Sequence, residues 1–151
     1  MPTQATYDDA NLILRLFELR REEKLRKARE WFSANFVPTS LDDMQRIAPT
    51  GSQENAYMRM VVSYWEMAAS FVTSGVLNQE LFFQSSGELL FVWERVRTLL
   101  PAFREFTRNP HSWGNLEIVG NAFIKWMEAR SPEAYLHVQQ MVRGTAAPKQ
   151  G

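Results

Sequence analysis

The sequence predicts an all-α fold, a single-domain bundle of five main helices plus short ones. Apolar residues recur with a period near 3.6 along almost the whole chain, while strict period-two alternation is nearly absent. The seven glycines and seven prolines fall mainly between the periodic segments and punctuate them. Hydrophobic residues make up 45% of the 151 residues and aromatics 13%, a globular composition with enough apolar mass for one core. No internal repeat or low-complexity tract interrupts this pattern. Residues 1–142 therefore read as one helical domain. The tail 143–151, "RGTAAPKQG", has lost the periodicity and is expected to be frayed.

The first helix is expected from Asp8 or Asp9, whose carboxylates suit the positive end of a helix dipole, to about Asn35, with Pro38 past its end. Ile13, Leu14, Phe17, Leu25, Ala28, Trp31 and Phe32 share one broad sector, and Leu12, Leu16 and Leu19 form a second strip. Its centre, "RREEK", is charged all round and is expected to be its most exposed point. A short helix capped by Ser40 follows, with Asp42 and Asp43 in its first turn. The central apolar helix spans about 53–74 and stops at Gly75, a residue suited to a left-handed C-terminal cap. Asn78 caps the short "QELFFQ" segment.

Ser85 or Ser86 opens another long helix to about Thr107. Its stripe is Leu89, Val92, Trp93, Val96, Leu99, Leu100, Phe103 and Phe106. Pro101 lacks an N–H and clashes with the carbonyl of Arg97, so a kink or short break is expected there. After the "NPHSWGN" turn, a helix turns Leu116, Val119, Phe123, Trp126 and Met127 inward. Ser131-Pro132 starts the last helix, a cap followed by proline at the first helical position.

On the central helix the polar residues Arg59, Ser63, Glu66, Ser70 and Thr73 are spaced four, three, four, three, one narrow seam on an otherwise apolar cylinder. Glu66, inside "YWEMAASF", has three readings. It faces water on the seam, it pairs with an arginine from a neighbouring helix, or it lines a polar pocket along Arg59–Glu66–Thr73 as proton donor or ligand. A buried carboxylate with no partner is costly and tends to protonate, so an enclosed Glu66 needs an arginine or a chemical role.

Several function classes find no support. Seventeen Lys+Arg balance seventeen Asp+Glu, so no overall field draws nucleic acid or anionic lipid. The first helix carries three more cations than acids between Arg15 and Glu30, but their three- and four-residue interleaving reads as a solvated, self-paired face. The longest uncharged run, between Glu66 and Glu80, is thirteen residues, short of the ~20 a membrane span needs. The N-terminus "MPTQATYDDA" carries no secretory signal pattern, and the absence of cysteine fits a reducing cytoplasm. The two histidines, His111 and His137, form no recognised metal motif; no nucleophile elbow and no glycine-rich phosphate loop occurs. No catalytic, cofactor-binding or metal residue is assigned, and no cofactor is expected.

The order Trp65-Glu66, "GVLNQEL" (Gly75 to Leu81), Gly87, Trp93, Pro101, Arg104, Pro110 and Glu117 resembles a family of bacterial helical domains of unknown function. The resemblance covers roughly residues 28–127. It implies an all-helical bundle and brings no activity or catalytic residues with it. Some members carry a membrane helix ahead of the domain, whereas this sequence has a charged amphipathic helix there. Recurrence of Glu66 and Arg104 in the pattern fits a structural ion pair.

Phe91 lies opposite the main stripe, beside Glu94, Arg95 and Thr98. It tucks under the "QELFFQ" segment or sits in an interface. The leading expectation is a non-enzymatic protein acting through contact with a protein partner or with itself as a homodimer. A small-molecule pocket on the seam is the alternative.

Overall fold

The computed structural model describes residues 4–144. Its helices are α1 (Tyr7–Arg20), α2 (Glu23–Asn35), α3 (Leu41–Ile47), α4 (Gln53–Thr73), α5 (Gln79–Ser85), α6 (Gly87–Val96), α7 (Leu100–Thr107), α8 (Gly114–Arg130) and α9 (Pro132–Gly144). A 3₁₀ turn, Arg97–Leu99, joins α6 to α7, and no strand occurs among the described residues. Arg143 and Gly144 still belong to α9, and the rest of the segment expected to fray, residues 145–151, lies outside the described residues.

α4 is the axis of the bundle, packed between α2 and α8 with α6 on a third side. It buries Met58, Val61, Val62, Trp65, Ala68 and Ala69. The Ser52 hydroxyl accepts the Asn55 N–H at its start (3.1 Å), and Gly75 follows its end at φ +85°, where a Cβ would be strained. Ser40 and Asn78 cap α3 and α5 as the sequence predicts. α6 and α8 approach so closely that a Cβ on Gly120 would collide with the Trp93 indole.

The first long helix is in fact two. Arg21 closes α1, and Glu22 leaves helical geometry to cap α2, its carboxylate accepting the Leu25 N–H at 2.9 Å. One straight helix could not bury both Ile13 and Leu16 at its start and Leu25, Ala28 and Phe32 at its end; an elbow lets each half meet the core on its own side. Arg21 to Lys24 of "RREEK" are exposed as expected, while Arg20 folds inward over the Phe17 and Trp65 rings. The cap of α1 also differs. Thr6 and Asp9 form a reciprocal capping box, and the other Asp9 oxygen accepts the Asn78 N–H at 2.8 Å, tying α1 to the start of α5.

The break at Pro101 is present, and it shifts the phase of the apolar stripe. Leu99 and Leu100 stay buried, but Phe106 on α7 is 63% exposed. A stripe extended across a 3₁₀ turn loses register, since each residue there turns through 120° rather than 100°. Leu14, expected inward, is 60% exposed for a related reason: the elbow commits α1 to a narrower buried strip.

Tyr64 clamps α1 to α4, its hydroxyl donating to the Leu16 carbonyl. Burial pushes its pKa up to about 12 from the ordinary 10. The folded state therefore favours the neutral phenol. Its stabilising share is complete below pH 10 and is lost as pH rises toward about 12. Urea unfolding between pH 9 and 11.5 should show stability falling, with a shallower fall in Tyr64→Phe. Equal slopes in the two proteins would contradict this assignment.

Candidate functional site: a groove between α3, α4 and α7

The seam of α4 divides into two halves with different tasks. At its C-terminal half Glu66 accepts the Leu116 N–H at 2.9 Å and the Asn115 side-chain amide at 2.6 Å. Thr73 donates to the Asn115 side-chain oxygen at 2.6 Å. Glu66 thus satisfies one free backbone N–H in the first turn of α8, where a negative charge also complements the helix dipole. The Trp113 position that would ordinarily cap α8 has no polar oxygen to offer, and no side-chain cap bond forms there. A carboxylate from α4 does that work instead, and it anchors α8 on the central helix.

Arg104 and Glu66 are not brought together. Arg104 donates from Nε to the Ser112 carbonyl (3.0 Å) and from a terminal nitrogen to Glu117 (2.9 Å). It holds the 108–113 loop in place. That loop contains two residues in the left-handed region, Arg108 (φ 56°) and Trp113 (φ 54°). Such a conformation costs a residue with a Cβ roughly 1–2 kcal/mol, so the surrounding bonds must over-determine it. Arg104, a Thr107–Ser112 hydroxyl bond (3.0 Å) and the Asn109 side chain on the His111 N–H (2.9 Å) do so. The result lays the Trp113 indole flat on Phe103, ring centroids 4.0 Å apart and 14° from parallel.

At its N-terminal half the seam meets a groove. Met44 from α3, Met58, Arg59, Met60, Ser63 and Glu66 from α4, and Phe103, Phe106 and Trp113 from the α7 side line a space of about 680 Å³. The walls are mainly apolar. Among the described residues that line them, Glu66 is the one acid and is engaged by α8, and Arg59 is the one cation. Arg59 donates from Nε to the Asn55 side chain (3.0 Å), which itself donates to the Ala48 carbonyl (3.1 Å). This relay orients the guanidinium while its two terminal nitrogens meet no protein acceptor among the described residues. The groove continues past Met60 and Ser63, which also line a shallow hollow with Leu19, Leu25, Tyr64 and Met67.

The remaining polar groups serve the scaffold. Glu88 on α6 receives Arg29 through three contacts of 2.8 to 3.1 Å and the Trp65 indole N–H at 3.0 Å, with Arg20 at 3.7 Å. The surplus cations of the first helix, expected to be a solvated face, thus include two that turn inward; Lys27–Glu23 (3.3 Å) is an exposed pair of the expected kind. Glu94 holds Arg97 (2.8 Å) and accepts the Tyr135 hydroxyl (3.1 Å), fastening α9. Phe91 is half-buried, with the Arg95 guanidinium 4.3 Å from its ring centroid, and it borders a cleft of about 300 Å³ with Arg29, Phe32, Val61 and Met141. Its neighbours in that cleft come from α2, α4 and α9. Among the described residues no three His, Cys, Asp or Glu side chains gather in a metal-binding group, and no helix is long and apolar enough to cross a membrane.

No local sequence signal marks the groove. Phe103, Phe106 and Trp113 read as core or turn residues, and their meeting with Met44 and Met60 depends on the break at Pro101 and on a left-handed Trp113.

Fold and groove together define a small all-helical domain with a preformed, open, apolar surface site. The chain matches the family described as Domain of unknown function (DUF4760) over residues 5–126, and it belongs to that family. The match starts well before residue 28, takes in α1 and the elbow, and ends before α9. No curated protein and no solved structure matches the chain.

Proposed function

We propose that this protein is a non-enzymatic contact module of the cytoplasm whose α3–α4–α7 groove receives apolar side chains of a protein partner. The carrying observation is Phe106, 63% exposed on the rim of a rigid aromatic wall rather than folded into the core. Burying an aromatic side chain contributes about 1.5–3 kcal/mol, which an intermolecular contact would supply. Met60, the partly exposed methionine of the groove, suits a protein ligand, because its flexible thioether adapts to the side chains it meets, over a floor of buried Met44 and Met58. Glu66 is occupied as the anchor of α8, which argues against using it as a general acid. The cysteine-free sequence fits a reducing compartment.

The test is a photo-cross-linking amino acid at Thr50, an exposed position on the groove, in cells producing the protein. Discrete protein adducts are expected there, absent from the exposed control position Lys125 and lost when Phe106→Glu is added. The same adducts at both positions, or adducts indifferent to Phe106→Glu, would overturn the reading.

A further inference from the structure

A second apolar feature of the surface is also unexplained. On α1, Tyr7, Asn11, Leu14 and Glu18 are spaced four, three, four and so share one face. That face points away from the core, with Tyr7 82% and Leu14 60% exposed. It is an amphipathic helix face with nothing on it among the described residues. It ends in Glu18, whose carboxylate has no ion pair among the described residues. The groove offers the converse: apolar walls and one oriented cation, Arg59.

We infer that the occupant of the groove is α1 of a second copy of this chain, with Leu14 and Tyr7 against the Phe106–Trp113 wall and Glu18 on Arg59. This rests on the reading of the groove as a protein-contact site. Charge complementarity supports it, because a carboxylate is the group an oriented guanidinium selects, and the mainly apolar walls suit the apolar side chains of Tyr7 and Leu14. The placement of the two halves supports closure. Leu19 at the end of α1 and the groove share the neighbours Met60 and Ser63, so helix and groove adjoin on one side of the molecule. Each copy can then give its helix and accept its partner's at once, an isologous two-fold contact instead of an open chain of copies.

Sedimentation and light scattering over a range of concentrations test this on the full chain. The expected result is a species of twice 17.6 kDa that dissociates on dilution. Leu14→Asp and Phe106→Glu, both at exposed positions, should each weaken the dimer at least about tenfold with unchanged far-UV circular dichroism. Arg59→Glu and Glu18→Arg should each weaken it by about tenfold, and the two together should restore it to within about threefold. That rescue holds the test open even if one apolar variant misfolds. A monomer at every concentration, or a dimer indifferent to all four substitutions, would overturn the inference. If the chain is monomeric while Thr50 still cross-links to a different protein, the contact reading stands and only the second copy is refuted. If Thr50 gives no specific adduct at all, both fall.

Discussion

Arg95→Ala is expected to cost about 3–5 kcal/mol of unfolding free energy and to loosen α9 first. The Arg95 side chain is buried at the meeting of α2, α6 and α9. It donates from Nε to the Val142 carbonyl (2.9 Å) and from one terminal nitrogen to the Phe32 and Phe36 carbonyls (both 3.0 Å). Phe32 and Phe36 lie at the C-terminal end of α2, and Val142 lies in the last turns of α9. The guanidinium therefore sits where two helix dipoles present their negative ends, a favourable setting for a cation. Burial lowers its pKa to about 10, so it stays charged at neutral pH. Truncation would take one donor from each of three carbonyls, of which that of Phe32 keeps the Phe36 N–H, and open a cavity beside Phe91. Arg95→Lys should recover only part of the loss, since one ammonium cannot reach all three oxygens in the fork's geometry. Urea unfolding gives the total, and hydrogen exchange should show α9 amides exposed before those of α4. A change below about 1 kcal/mol would mean the buried fork is not structural.

Glu88→Ala is the second large effect, expected near 2–4 kcal/mol because the carboxylate is about a quarter exposed and some of its charge is screened. Removing it leaves Arg29, Arg20 and the Trp65 N–H without their shared acceptor. Burial already lowers the Arg20 pKa, opposed by the charge of Glu88, so losing that charge worsens its position. Glu88→Gln keeps an acceptor for Trp65 and should cost less than Ala. Adding Arg29→Met to Glu88→Ala should return part of the loss, since an unpaired partly buried cation is removed with its partner. Denaturant midpoints of the wild type, Glu88→Ala, Glu88→Gln, Arg29→Met and the double variant measure this. Strict additivity would show that the network does not act as a unit.

The helices were legible because each is written locally. Ser40, Asn78, Gly75 and Ser131-Pro132 mark ends through bonds and dihedral preferences within a few residues. The central place of α4 was legible because an apolar cylinder with one polar seam has to be surrounded. The elbow at Arg21–Glu22 was not. A glutamate cap is an uncommon signal, and the choice between one helix and two depends on where α4 and α6 stand. The exposure of Phe106 was hidden for a similar reason, since a 3₁₀ turn changes the phase of everything after it.

Glu66 shows the division most clearly. From the sequence alone it lay on the polar seam of a buried helix, with water, an arginine or a pocket as its possible surroundings. Only the packed structure brings the Leu116 N–H of α8 to it, fifty residues further along the chain, and makes it a cap for that helix. Sequence by itself determined the all-helical class, the axis helix and most boundaries, because those follow from propensity, periodicity and capping within a turn or two. The groove, the Arg95 and Glu88 hubs and the task of Glu66 were decided by tertiary structure alone. Each is a meeting of groups far apart in the chain, and no local preference encodes which distant groups will meet.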